Sequence, residues 1–233
     1  MAFPQGKSFS KNITAIGYTD CDKKPAFKLA LHRDGDRWFL YCGLFWQSGF
    51  SIIEVTDPAN PRFVRTIEGP ANTWTLQVQV ADGLLVTSQE KIMEGWGHVE
   101  GQPWGEGVLI WDLKDPENPE LLSHWKTGGD GTHRNYYDGG RYIYATGLPE
   151  GFQGNILQII DIEDPRNPVE VGRWWMEGQN VGGGEEPAAK GVMLHGGAYV
   201  KGDRAYLPYS SGGFVVLDIS DKTNPTMISD LPF

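Results

Sequence analysis

Four stretches of the chain repeat one pattern: an apolar strand, an Asp at its end, an Asp/Pro/Asn/Pro turn, then another strand. They run Ser51 to Pro61, Val108 to Pro119, Leu157 to Pro168 and Phe214 to Pro225. The closing Pro recurs at 61, 119, 168 and 225, intervals of 58, 49 and 57 residues, so the chain is a tandem array of one supersecondary unit. The turn has a physical logic. An Asp carboxylate accepts from backbone N–H groups two residues on, and Pro fixes φ at the first turn position. The second Pro follows Asn and opens the next strand where no ladder donor is needed. In the fourth copy Lys222 replaces the first Pro, and the Asp and Asn-Pro ends hold the turn without it.

A second hairpin precedes each segment. The first pairs Phe27–His32 with Trp38–Gly43, and the second Leu76–Val80 with Leu84–Thr87 across Ala81-Asp82-Gly83. The third pairs the stretch around His133–Tyr137 with Tyr142–Thr146 across Asp138-Gly139-Gly140, and the fourth Val192–Val200 with Ala205–Pro208 across Lys201-Gly202-Asp203. Asp-Gly and Gly-Asp between alternating strands are strong hairpin signals. Each unit is therefore four antiparallel strands, a to d, and no ten-residue helical pattern lies between them. Tandem four-stranded units predict an all-β fold, a β-propeller of antiparallel blades rather than a sandwich. The four blades span about 27–67, 74–125, 133–174 and 192–231 of a single domain, 1–233.

Ile13–Tyr18 reads as a further d strand, similar to Phe63–Ile67 and Val169–Trp174, with no blade of its own. The fourth blade already has its own d strand, Thr226–Leu231. Strand counting thus predicts that residues 13–18 complete a blade missing from this chain, a fragment of a ring of six or seven blades. The alternative is a closed four-bladed ring with that strand packed on an edge.

The turn segments resemble the LVIVD repeat, a propeller repeat found largely in bacterial proteins, many of them uncharacterised. The diagnostic stretches are Val215-Val216-Leu217-Asp218-Ile219 and Leu157-Gln158-Ile159-Ile160-Asp161-Ile162. The resemblance implies the propeller fold and brings no catalytic motif, since one fold supports many functions.

Thirty acidic against twenty basic residues give a formal charge of −10, the wrong sign for a phosphate-binding surface, so nucleic acid is not expected as a partner. No apolar run reaches the length of a membrane-spanning helix. The stretch Met1–Lys7 lacks the apolar core of a secretion signal, and a cytoplasmic protein is the resulting expectation. Cys21 and Cys42 are the two cysteines. Cys42 sits in an apolar strand as a buried thiol would, and a disulfide between them is left open.

Blade topology sorts the loops. The b–c and d–a loops share one face, and the short a–b and c–d turns share the other. The first face carries the long segments, including Gln89–Glu106 and Glu177–Gly191, and loops on a rigid scaffold are where binding residues concentrate. The Gly182-Gly183-Gly184 run lacks the strand, helix and Lys of a phosphate loop and reads as a linker. His133 and His195 each open an innermost strand at this face, beside the mouth of the central channel, with Lys28 and Gln77 at the matching places of the first two blades. Arg134 and Glu90 are their expected neighbours. Three roles stand open for the histidines: bonds to backbone or channel water, ligands for a divalent metal, or an acid/base set with Glu90 as general base. Trp46, Trp96 and Phe152, on loops of the same face, are candidate binding aromatics. His32 reads as a packing residue. Two functions follow from this placement: a module binding a small molecule or a protein on its loop-rich face, or an enzyme acting on a small organic molecule at the channel mouth.

Overall fold

The computed structural model describes residues 11–232; Met1–Lys7 and Phe233, on which two of the sequence expectations bear, lie outside them. The described chain is all-β and antiparallel, built from four successive meanders. The first runs β1 (Ala26–Asp34), β2 (Arg37–Leu44), β3 (Gly49–Glu54) and β4 (Arg62–Glu68). The second holds a two-residue β5 (Thr73–Trp74), then β6 (Val78–Ala81), β7 (Leu84–Lys91), β8 (Gly107–Asp112) and β9 (Glu120–Trp125). The third comprises β10 (Gly129–Thr132), β11 (Tyr142–Pro149), β12 (Ile156–Asp161) and β13 (Val169–Trp174), and the fourth β14 (Tyr199–Lys201), β15 (Arg204–Tyr209), β16 (Gly213–Asp218) and β17 (Thr226–Leu231). A single backbone pairing, Gly131 with Glu90, joins the second sheet to the third.

The repeat dictates more than the turns. In every unit the register between the third and fourth strands slips at the same place, Ile52/Ile53, Ile110/Trp111, Ile159/Ile160 and Val216/Leu217, so each outer strand is twisted by the same bulge. The turn Asp then performs one task four times. Asp57, Asp115, Asp164 and Asp221 each accept the backbone N–H two residues on, and the first three also bind the side-chain amide of Asn60, Asn118 or Asn167. An Arg at the start of the second strand pairs with the acid ending the third: Arg37 with Glu54, Arg141 with Asp161, Arg204 with Asp218.

The apolar core is divided among the seams between units. Phe39, Tyr41, Phe50 and Ile52 of the first unit pack against Val78, Leu85, Trp111 and Leu113 of the second. Val86, Val108 and Ile110 meet Tyr137, Ile143, Ile160 and Ile162 of the third, whose Tyr144, Leu157 and Ile159 meet Leu194, Leu207, Val215 and Leu217 of the fourth. Alternation sends neighbouring residues such as Ile159 and Ile160 into different seams, which is why the third strands read as unbroken apolar runs. Polar bridges cross the seams where turn meets strand. The Tyr41 hydroxyl donates to the Pro116 carbonyl, and the Ser123 hydroxyl to that of Pro165.

Two expectations need correction. Residues 13–18 form no strand; they run as coil, because no strand among the described residues lies beside them to offer ladder partners. The inner strands expected over 76–80, 133–137 and 192–200 are shorter or broken. In the second unit β5 and β6 flank an unpaired Thr75–Gln77; in the third β10 stops at Thr132 and pairing resumes only at the Tyr136–Tyr144 bridge; in the fourth β14 begins at Tyr199. The first unit carries a bulge between Ala26 and Leu29. All four inner strands thus depart from regular pairing at one equivalent place, the place of Lys28, Gln77, His133 and His195.

Candidate functional site

The break in the inner strands aims side chains into space that a regular ladder would have closed. At three of these breaks a backbone bond to the second strand survives: the Gln77 carbonyl accepts from Ser88, His133 N–H donates to the Thr146 carbonyl, and His195 N–H to that of Pro208. The residues are therefore anchored at the backbone while the chain around them bends. The imidazoles of His133 and His195, from adjacent units, stack with centroids 5.1 Å apart and planes 17° from parallel.

Glu90, near the end of β7, comes in from the other side. His133 Nδ1 lies 2.8 and 2.9 Å from the two Glu90 carboxylate oxygens, and both side chains are largely withdrawn from solvent. A carboxylate only accepts, so this bond places the imidazole proton on Nδ1 and leaves the lone pair of the neutral ring on Nε2. His133 Nε2 is buried and has no hydrogen-bond partner among the described residues. A buried nitrogen with a free lone pair is a costly group to leave unmatched, and His133 is one of the residues lining a cavity of about 370 Å³. Ile92, Met93, Leu148 and Met193 give that cavity apolar walls; Glu94, Asp130 and His195 add polar ones.

Burial pulls His195 below the ordinary imidazole range, with neighbouring His133 and the Arg134 guanidinium acting in the same direction and Glu90 opposing. His195 is thus held towards its neutral form. Arg134, half-buried, lies with its guanidinium 4.9 Å above the Phe27 ring of the first unit. Phe27 stacks on Phe45, and Phe45 touches Trp46, Trp74 and Trp96. Trp46 and Trp96 stack at 5.3 Å and 13°, and each leaves about half its surface in solvent, 51% and 46%. Ile92 packs with Trp74 beneath this aromatic ledge and also lines the cavity, so ledge and cavity are contiguous.

The structure therefore unites Glu90, His133, His195 and Arg134, and places Trp46 and Trp96 together beside them. It does not bring in the rest. Lys28 lies exposed on β1, Gln77 is buried and bonded through its backbone, and Phe152 packs edge-on against Trp175 at a separate rim. Nearly parallel rings send their lone pairs along separate planes, so as they stand His133 and His195 do not converge on one point, and no cluster of three or more metal-ligating side chains occurs among the described residues. Ile92, Met193 and Asp130 escaped sequence reasoning. Only the long b–c and d–a segments that carry them were visible there.

Taken together, four curled antiparallel meanders with seam cores and one loop-rich face define a propeller-like repeat protein. Residues 150–175 and 197–231 match the LVIVD repeat, a β-propeller-associated family, so the third and fourth units carry LVIVD repeats. Among curated proteins none matches the sequence. Among solved structures, a functionally unknown protein from Desulfotomaculum acetoxidans superposes with a TM-score of 0.53 at 12% identity, over 88% of this chain and 56% of that one. This chain thus spans little more than half of that protein's length. A thermostable family-43 glycoside hydrolase gives a TM-score of 0.46 at 10% identity, over 90% of this chain and 73% of that one. No helix among the described residues is long and apolar enough to cross a membrane.

Proposed function

We propose that this chain is a small-molecule-binding β-propeller module whose ligand sits in the cavity over His133, on the loop-rich face. The observation that carries this reading is the buried, unpartnered Nε2 of a histidine whose other nitrogen is tied to Glu90. Such a nitrogen demands a donor, and apolar wall residues with a few placed polar groups are the usual make-up of a small-ligand site. The ligand class this favours is a compact, mainly apolar molecule with one hydroxyl, such as a phenol, with the Trp46–Trp96 ledge available to a flat extension. A suitable probe is 4-nitrophenol, followed by its absorbance and by the ring ¹⁵N resonances of His133. Saturable binding that shifts Nε2 and is lost in His133→Phe supports the site. Absence of any His133 response up to millimolar probe sinks it.

A second reading is favoured by the same pair. A carboxylate-tied imidazole with an unpartnered Nε2 is the arrangement of a general base, with Glu90 holding the tautomer rather than meeting substrate. Its test is a bell-shaped or sigmoid pH–rate profile on an activated phenyl ester that disappears in His133→Gln.

The architecture proposed for the intact ring is six or seven blades, completed by residues 13–18. Its support is positional. In the second and third units the residue four after the turn-closing Pro, Ser123 or Gly172, lies against the next turn, at the Pro165 or Lys222 carbonyl. Gly17 lies against the Pro58 carbonyl in the same way, as a d strand of a preceding blade would. Apolar Leu29 and Leu31 on β1 and Met227 and Ile228 on β17 are exposed, as faces awaiting neighbours. The remaining expectations, a cytoplasmic location and no nucleic-acid partner, rest on the sequence alone.

A further inference from the structure

We infer that the seam between the first and second units holds a ligand site of its own, a cavity for an uncharged, flat, bicyclic aromatic molecule of indole size. The repeat shows what belongs there. The third and fourth strands of the first three units pair in one register, which makes Ile67, Trp125 and Trp174 equivalent: they stand opposite Phe50, Val108 and Leu157. Trp125 packs into the seam between the second and third units. Trp174 packs into the seam between the third and fourth, where its ring meets Tyr209 edge-on at 5.5 Å and 89°. Ile67 packs into the first seam in the same way but brings no indole, and it lines a cavity of about 370 Å³.

The chemistry of the lining fits that occupant. Phe50, Leu109, Trp111 and Leu121 face Ile67 around the cavity. Trp111 enters from the second unit and stands edge-on to Phe50, ring centroids 5.3 Å apart at 76°, so it walls the space instead of filling it. Aromatic rings favour edge-to-face and offset partners, and an apolar cavity with little to hold water takes apolar ring molecules. The polar groups at the edge are already engaged. Glu68 pairs with Lys24 at 2.8 Å, and His124 Nε2 lies 2.6 Å from the Glu106 carbonyl. The Thr75 hydroxyl accepts from Gly49 N–H, and the Thr87 hydroxyl from the Trp111 ring N–H. Among the described residues the lining therefore offers a charged ligand no free counter-ion, which is why the class is uncharged. The cavity shares no lining residue with the one over His133.

The test uses the whole chain and 1-methylindole, a probe with no N–H to offer the Nε2 of His133, followed in ¹³C-methyl spectra. Saturable shifts of the Ile67, Leu109 and Leu121 methyls are expected, with the Ile92 and Met193 methyls unmoved. Ile67→Trp gives the first seam the side chain that the next two carry. It should keep the parent's circular dichroism and weaken the probe about tenfold or more, read on the Leu109 and Leu121 methyls. His133→Phe should bind the probe as the parent does. No saturable shift at those three residues up to millimolar probe, or shifts confined to the cavity over His133, would overturn the assignment. So would an Ile67→Trp chain that binds as the parent does, or one that does not fold.

Discussion

Replacing Glu90 by Ala removes the group that fixes His133 while leaving the backbone pairings of Glu90 with Gly131 and Trp74 intact. The carboxylate and the imidazole expose only 14% and 11% of their side chains, so solvent screening takes little from their bond. A hydrogen bond to a charged group contributes about 1.5–3 kcal/mol net, and the orphaned Nδ1 donor left behind costs about 1–3 kcal/mol; these describe one loss from two sides. The expected destabilisation is about 2 kcal/mol, roughly a 30-fold fall in the folded-to-unfolded ratio. Glu90→Gln keeps an acceptor but not the charge, and a neutral bond is about half as strong, so it should cost about 1 kcal/mol. Urea unfolding followed by Trp fluorescence measures both. Ring ¹⁵N shifts of His133 should report protonated Nδ1 in the parent and in Glu90→Gln, and a tautomer mixture in Glu90→Ala. Because the pair is shielded, these differences should change little between low and physiological salt. A loss under about 0.5 kcal/mol in Glu90→Ala, or a Gln variant as damaged as the Ala one, would falsify the carboxylate–imidazole assignment.

Stability should fall as pH drops through about 6.5, because the folded chain holds His195 and His32 below the ordinary imidazole value, burial being the first cause in each; the unfolded chain then binds more protons in that window. His195→Gln should flatten part of that slope in a pH series of urea midpoints; an unchanged slope refutes its share. Ile110→Ala opens a void in the fully buried seam between the second and third units and should cost about 2–5 kcal/mol, checked by the same unfolding assay. Asp164→Ala removes two local bonds, to Arg166 N–H and the Asn167 amide, in an exposed turn, so its urea midpoint should move far less than that of Ile110→Ala, with 4-nitrophenol binding unchanged in titration.

How far the sequence could be read follows from the range of the forces involved. Turn chemistry is local: Asp164 finds its partners at 166 and 167, and so the Asp/Pro/Asn/Pro repeat declares four units without reference to anything distant. Strand alternation is nearly as local, which is why the third strands, facing two seams at once, were legible as apolar runs. The inner strands were misjudged because their pairing depends on what the next unit presents. Gly131, at φ 98°, would drive a Cβ into the Gln89 carbonyl, a close approach across two sheets that no local signal announces. The site shared that fate in part. Topology alone put His133, His195 and Glu90 on one face, since strand direction decides which loops meet. The stacking of the two rings, the buried unpartnered nitrogen of His133 and the Trp46–Trp96 contact depend on side-chain directions set by distant segments. Residues 13–18 show the same limit from the other side. Their alternation reads as that of an outer strand, and Gly17 lies against the Pro58 carbonyl. A strand, however, is defined by a ladder, and without a pairing strand among the described residues the same sequence is coil. Pattern specifies a role, and the neighbour that fulfils it decides the structure.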